Sequence, residues 1–164
     1  MPDSLPLIRD FRASDARQLL DLMRELAVFE GYIDDFRVTE GELLRRGLGP
    51  NPEFFAVVAE AAGGQLVGMA VGHVTAFTYT LQPTVTLKEL FVRPGSRSQR
   101  LGRRLFAAFA KQALKLGAAS LRWTVLADNE RAKKFYLELG AFHDARWEPW
   151  CMDTNAMKRL AKIA

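Results

Sequence analysis

Apolar residues recur at intervals of three and four at Leu19, Leu22, Met23, Leu26 and Phe29, the spacing that lines one face of a helix. Ser14 or Asp15 stands where a cap for that helix belongs. Thr39 and Glu42 form a capping box for a second helix opening at VTEGELL. The period then changes. EFFAVVAE and QLVGMAVGHVTAF are β-rich runs joined by AAGGQ, which predicts a hairpin, and TVTLKELFV alternates as a further strand. Pro94 and Gly95 break the pattern. Leu101, Leu105 and Phe109 restore helical spacing in a helix from about Gln99 to Gly117, a glycine suited to the position after a helix end. SLRWTVL predicts the next strand. Asp128 or Asn129 caps a helix ending near Gly140, with Ala132, Phe135 and Leu139 on one face. AFHDAR and WEPWCMD read as a closing pair of strands, and Thr154 as the cap of a short terminal helix.

Meander strands come first and βα units later. That order predicts an α/β fold with a mixed, mostly antiparallel central sheet flanked by helices. A doubly wound nucleotide fold would alternate throughout. A chain of 164 residues, 49% of them hydrophobic, is long enough to bury a core and is expected to form a single domain, 1–164. The single cysteine, Cys151, excludes an internal disulfide and fits a reducing compartment. No apolar run reaches the length of a membrane span, and the opening MPDSLPLIRD lacks the basic start and apolar run of a secretory signal. A cytoplasmic protein is the expectation. No His, Cys and Asp spacing suggests a metal site.

The formal charge is +4, but its distribution says more than its sum. Arg93, Arg97, Arg100, Arg103 and Arg104 crowd one segment, LKELFVRPGSRSQRLGRRL, in which a strand ends, a short loop follows and a helix begins. The first N–H groups of a helix have no partner inside it and carry partial positive charge. Such an end suits an anion, a diphosphate included, and Gly102 lets the anion approach the backbone. A solvated basic face explains the segment equally well. Neither GxxxxGK followed by Ser or Thr nor GxGxxG occurs, which excludes a Walker loop and a dinucleotide fingerprint.

A second segment, NERAKKFYLELGAF, follows a strand and places Tyr136 about a hundred degrees around the helix from Phe135. Together, ELFVRPGSRSQRLGRRL and NERAKKFYLELGAF resemble the GNAT superfamily of acetyl-CoA-dependent N-acetyltransferases. With LMRELAVFEGYIDD, VTEGELLRRGLG and FAVVAE, most of the chain is similar to the diamine (spermidine/spermine) N-acetyltransferase subgroup. The resemblance implies acetyl transfer from acetyl-CoA directly to a primary amine, whether a small amine, a diamine or an amino-acid-like acceptor, within a ternary complex. It implies a pyrophosphate loop of the pattern Gln or Arg, two residues, Gly, one residue, then Gly or Ala. Arg97 and Gly102 match that pattern, Ser98, Gln99, Leu101 and Arg103 complete the loop, and Arg100 stands where the first glycine is expected. The strand Leu90, Phe91, Val92 is implied to pair its backbone with the pantetheine arm. Asn129, Ala132 and Phe135 are implied to contact the cofactor, and Tyr136 to protonate the leaving thiolate.

On the acceptor side the resemblance marks Phe29 and Glu30. The subgroup's acidic pair becomes Lys88–Glu89, which leaves Glu89 as the candidate base. Neighbours on a strand face opposite sides, so water, Glu30 and His73 stand as alternatives. With Thr80 and Lys88 in place of acids, a weak or absent preference for spermidine is expected. His143, Trp147 and Trp150 are assigned to packing or to contacts in a homodimer, which the resemblance implies. Two other functions compete: a CoA-binding protein with little turnover, and, ranked last, a nucleic-acid-binding module built on the arginines, for which no recognised motif is present.

Overall fold

The computed structural model describes residues 5–97 and 100–163. Ser98 and Gln99, assigned above to the pyrophosphate loop, lie outside the described residues. The sheet is built from β1 (Leu7–Asp10), β2 (Phe55–Glu60), β3 (Leu66–Thr75), β4 (Thr84–Val92) and β5 (Ser120–Arg122). They lie side by side in sequence order. The first four are antiparallel, and β5 runs parallel to β4. The helices are α1 (Ala16–Glu30), α2 (Glu40–Leu48), α3 (Leu101–Lys115), α4 (Glu130–Glu138) and α5 (Thr154–Leu160). A mixed, mostly antiparallel sheet flanked by helices is therefore what the hydrophobic pattern predicts and what forms.

Residues divide into two compact units, Met1–Thr124 and Val125–Ala164. In the first, alternation along β2 sends Ala56 and Val58 to one face of the sheet and Val57 and Ala59 to the other. Leu19, Leu22, Met23 and Leu26 of α1 and Leu43 of α2 join Val58, Met69, Val71 and Phe91 in one core cluster. Leu101 and Leu105 of α3 join Val57, Ala59 and Val92 in a second. Helix α3 approaches β3 closely. A Cβ on Gly68 would meet Leu105 Cδ1 at 2.8 Å, and one on Gly72 would collide with Phe109 and with the Thr86 carbonyl.

Several ends are set as their chemistry requires. The hairpin after β2 turns through Gly63 and Gly64, both at positive φ, with Ala61 N–H bonded to Gln65 O at 2.8 Å. Thr39 Oγ1 accepts the Glu42 N–H at 3.3 Å and starts α2. Gly31, at φ +80°, closes α1, and Gly117, at φ +77°, follows α3.

Five expectations change. Neither Ser14 nor Asp15 caps α1 through its side chain. The Asp15 carboxylate instead accepts from Arg9, at 2.6 and 2.8 Å, and from the Arg12 N–H at 2.8 Å. Phe29 leaves the apolar face of α1 and is 62% exposed. Strand β5 stops at Arg122, after which Trp123 turns onto the Phe106 ring edge-on, with centroids 5.3 Å apart.

The fourth change lies in the second unit, where residues 141–153 form no strand. Alternation supplies a strand with a face but not with a partner, and local bonds serve here: Ala145 N–H to His143 O, and Arg146 to the Asp144 carboxylate. Within this unit Asn129 Oδ1 accepts the Ala132 N–H at 3.1 Å and starts α4, and Gly140 follows it at φ +88°. Asp153, rather than Thr154, caps α5 through its carboxylate.

Candidate active site

The register between β3 and β4 is the decisive local event. Leu87 pairs with Gly72 and Glu89 with Val71, which leaves Lys88 as an extra residue without a partner. A bulge of this kind re-aims the side chains beyond it. Glu89 then shares its face with Phe91, which packs in the α1 cluster, while Lys88 is exposed. Strict alternation along the strand sets Glu89 aside as a substitute for the acid missing at 88. The bulge removes that objection.

Glu89 faces an acidic corner. Its Oε2 atom is buried and has no hydrogen-bond partner among the described residues. Burial, then the charge of Glu30, raise its pKa from 4.5 to about 7, and Lys88 offsets part of the rise. Glu30, the last residue of α1, is raised by desolvation. Tyr32, just past the Gly31 turn, is pushed up to about 12 by burial and by the charges of Glu89 and Glu30. Nothing in the periodicity pointed to Tyr32; only its place beyond a left-handed glycine brings it here. Phe29 is exposed at the same helix end. Two carboxyl groups and a phenol thus sit within electrostatic reach of one another. His73 lies on β3 opposite Thr86.

The outer edge of β4 is open along the half that follows. Strand β5 pairs only with Thr84, Val85 and Thr86, so from Leu87 to Val92 β4 pairs with β3 alone among the described strands. The side chains of Phe91 and Val92 are buried, so what this stretch offers a ligand is mainly backbone. Part of that is taken: Arg97 Nε donates to Val92 O at 3.0 Å.

After the turn Pro94–Ser96, α3 begins at Arg100, which has φ +57° and ψ +31° and supplies no side-chain cap. This is the left-handed region that a glycine occupies without strain. The residue standing in the glycine position keeps the glycine's backbone shape. The Arg104 N–H bonds back to Arg100 O at 3.0 Å, so the N–H groups of Leu101, Gly102 and Arg103 open the helix without intrahelical acceptors. Leu101 points its side chain into the core, and Gly102 is half-buried.

The arginine cluster separates into roles. Arg93 is held by Glu25, with Nη2 to Oε1 at 2.7 Å, and by Leu66 O at 2.8 Å. Arg104 Nη2 is held by Pro6 O at 2.9 Å. Arg100 and Arg103 are exposed. The local positive field belongs to fewer residues than the sequence suggests.

In the unit 125–164, α4 carries Ala132, Phe135 and Tyr136, all half-buried. The rings of Phe135 and Tyr136 meet edge-on at 5.3 Å. Asn129 spends its carbonyl oxygen on the α4 cap, which leaves its amide N–H groups as donors. Among the described residues no group of His, Cys, Asp and Glu is arranged to hold a metal ion, and no helix is long and apolar enough to cross a membrane.

A strand β4 paired with β5 only at its start is thus followed by a turn and a helix start without a side-chain cap. The family model described as "Acetyltransferase (GNAT) family" matches residues 16–141, and the chain belongs to that family. A thialysine N-epsilon-acetyltransferase from Bos taurus is 33% identical over 164 residues, covering 94% of this chain and 96% of its own. A spermidine/spermine N(1)-acetyltransferase-like protein from Homo sapiens is 26% identical over 149 residues, covering 87% of this chain and 21% of its own. An integron cassette protein from the mobile metagenome of V. cholerae shares the fold, with a TM-score of 0.76 at 22% identity over 97% of this chain and 99% of that one. The protein is an N-acetyltransferase that moves an acetyl group from acetyl-CoA to an amine.

Proposed function

We propose that transfer is direct, in a ternary complex, and that Glu89 is the base. The observation that carries this is the buried, unpartnered Glu89 Oε2 beside Glu30 and Tyr32. An incoming ammonium group would satisfy it. A carboxylate with a pKa near 7 is matched to taking a proton at neutral pH. Glu89 accepts one proton of the ammonium group, the freed nitrogen attacks the thioester carbonyl, a C–N bond forms, the C–S bond breaks, and the second proton shed by the nitrogen makes good the one that Tyr136 gives up. Tyr136 donates a proton to the departing thiolate, a role supported by the match of NERAKKFYLELGAF to the family motif. The open backbone of Leu90–Val92 would hold the pantetheine arm. The N–H groups of Leu101, Gly102 and Arg103, with the exposed Arg100 and Arg103, would hold the pyrophosphate.

Asn129, Ala132 and Phe135 would complete the cofactor contacts, and Phe29, Glu30 and Lys88 the acceptor side. The acceptor is a primary amine of the small-amine, diamine or amino-acid class, in keeping with relatives named for thialysine and for spermidine and spermine. The family match across 16–141 spans the boundary between the two units, which supports one domain over 1–164. We extend the proposal to a cytoplasmic homodimer. The single cysteine supports the compartment, and exposed Trp147 and Trp150 support an interface.

The test is release of free CoA thiol from acetyl-CoA against a panel of amines, with acetyl-CoA binding measured by calorimetry. Binding without thiol release would favour the rival, a CoA-binding protein with little turnover, for which the substitutions at Arg100 and Lys88 are the argument.

A further inference from the structure

The bulge does two things at once: it turns Glu89 inward and leaves Lys88 outside the ladder. Lys88 is exposed and forms no ion pair among the described residues. Its ammonium nevertheless acts electrostatically on Glu89. The acceptor site therefore presents Glu89, with its buried Oε2, the exposed Glu30 and, adjoining Glu89 in the strand, one uncommitted cation. A molecule with an amine at one end and an amine at the other meets attraction and then repulsion. A molecule with an amine at one end and a carboxylate at the other is complementary at both.

We propose that Lys88 is the specificity residue of the acceptor site, binding the carboxylate of an amino acid whose terminal side-chain amine enters towards Glu30 and Glu89. This rests on the acetyl-transfer reading above and narrows it. Specificity arises from attraction to one class and repulsion of the other. Lys88 touches the far end of the acceptor rather than the reacting atoms, so its effect falls mainly on KM. A charge-assisted hydrogen bond of this kind corresponds to a preference of about tenfold or more.

The experiment compares lysine with 1,5-diaminopentane, which has the same chain without the carboxylate, by steady-state thiol release. The wild-type enzyme is expected to favour lysine in kcat/KM by about tenfold or more. Lys88→Glu should reverse the order, and Lys88→Arg should keep it, with the larger part of each change in KM. Acetyl-CoA binding by each variant reports that it is folded. Equal or better use of 1,5-diaminopentane by the wild-type enzyme, or a lysine-to-diamine ratio unmoved by Lys88→Glu, overturns the inference while leaving acetyl transfer intact. Absence of thiol release with every amine overturns the acetyl-transfer reading itself, and this inference with it.

Discussion

Replacing Glu89 by Gln removes one proton-binding site whose native and unfolded affinities differ. Its carboxyl has a pKa near 4.5 when unfolded and about 7 in the native protein. Below pH 4.5 both states are protonated and the difference contributes nothing. Between 4.5 and 7 the native state holds a proton that the unfolded state has released, so stability falls as pH rises. Above 7 the full penalty of the ionised, buried carboxylate is present, about 3 kcal/mol for a shift of this size. Gln carries no such dependence. Urea denaturation at pH 5 and pH 8 should show the Glu89→Gln protein gaining on the wild type by about 2 to 3 kcal/mol between the two. A constant offset between the proteins cancels in this comparison, so an imperfect fit of the amide does not disturb it. Glu30→Gln should shrink the wild-type swing, because the charge of Glu30 is the second cause of the raised pKa. A gain below about 1 kcal/mol, or one of opposite sign, would refute the argument that the burial of Glu89 outweighs the partial counter-charge of Lys88. In the same protein, the rise of wild-type kcat/KM through pH 7 should disappear along with most of the activity.

Tyr136→Phe should lower turnover about a hundredfold or more and leave acetyl-CoA binding by calorimetry nearly intact; unchanged turnover removes Tyr136 from its role. Arg100→Gly should be more stable than Arg100→Ala by about 1 kcal/mol in chemical denaturation, because only glycine relaxes at φ +57°; equal stabilities would mean the turn is not strained. Gly72→Ala should lose about 1–3 kcal/mol, since its Cβ would press on Phe109 and on a β4 carbonyl that cannot move aside. A thermal midpoint within a degree of the wild type would show that α3 and β3 can separate at no cost.

Local chemistry made much of the fold legible. Helix faces follow from three-and-four spacing, as with Leu19, Leu22, Met23 and Leu26 in α1. Turns follow from residues that alone tolerate a backbone shape, as with Gly63 and Gly64. Caps follow from side chains that reach a nearby N–H, as with Thr39 and Asn129. The reading fails where partners are remote. Residues 141–153 alternate like strands, but strand formation depends on a neighbour that local sequence does not specify. Asp15 has a capping side chain, yet Arg9, brought alongside as β1 forms, takes its carboxylate.

The sequence by itself determined the family, through two motifs whose order and spacing are read along the chain, and with it the acetyl donor and the candidate loop. It also revealed that arginine replaces a glycine at position 100 and lysine replaces an acid at position 88. Only tertiary structure decided what those replacements mean. Backbone geometry at Arg100 is set by the turn that must join β4 to α3, and the side chain follows. Register between β3 and β4 is a property of two strands together, so no pattern within β4 alone announces that Lys88 is bulged out and Glu89 turned inward. Burial of that carboxylate, and hence its pKa near 7, arises from α1 and the turn beyond it, more than fifty residues upstream.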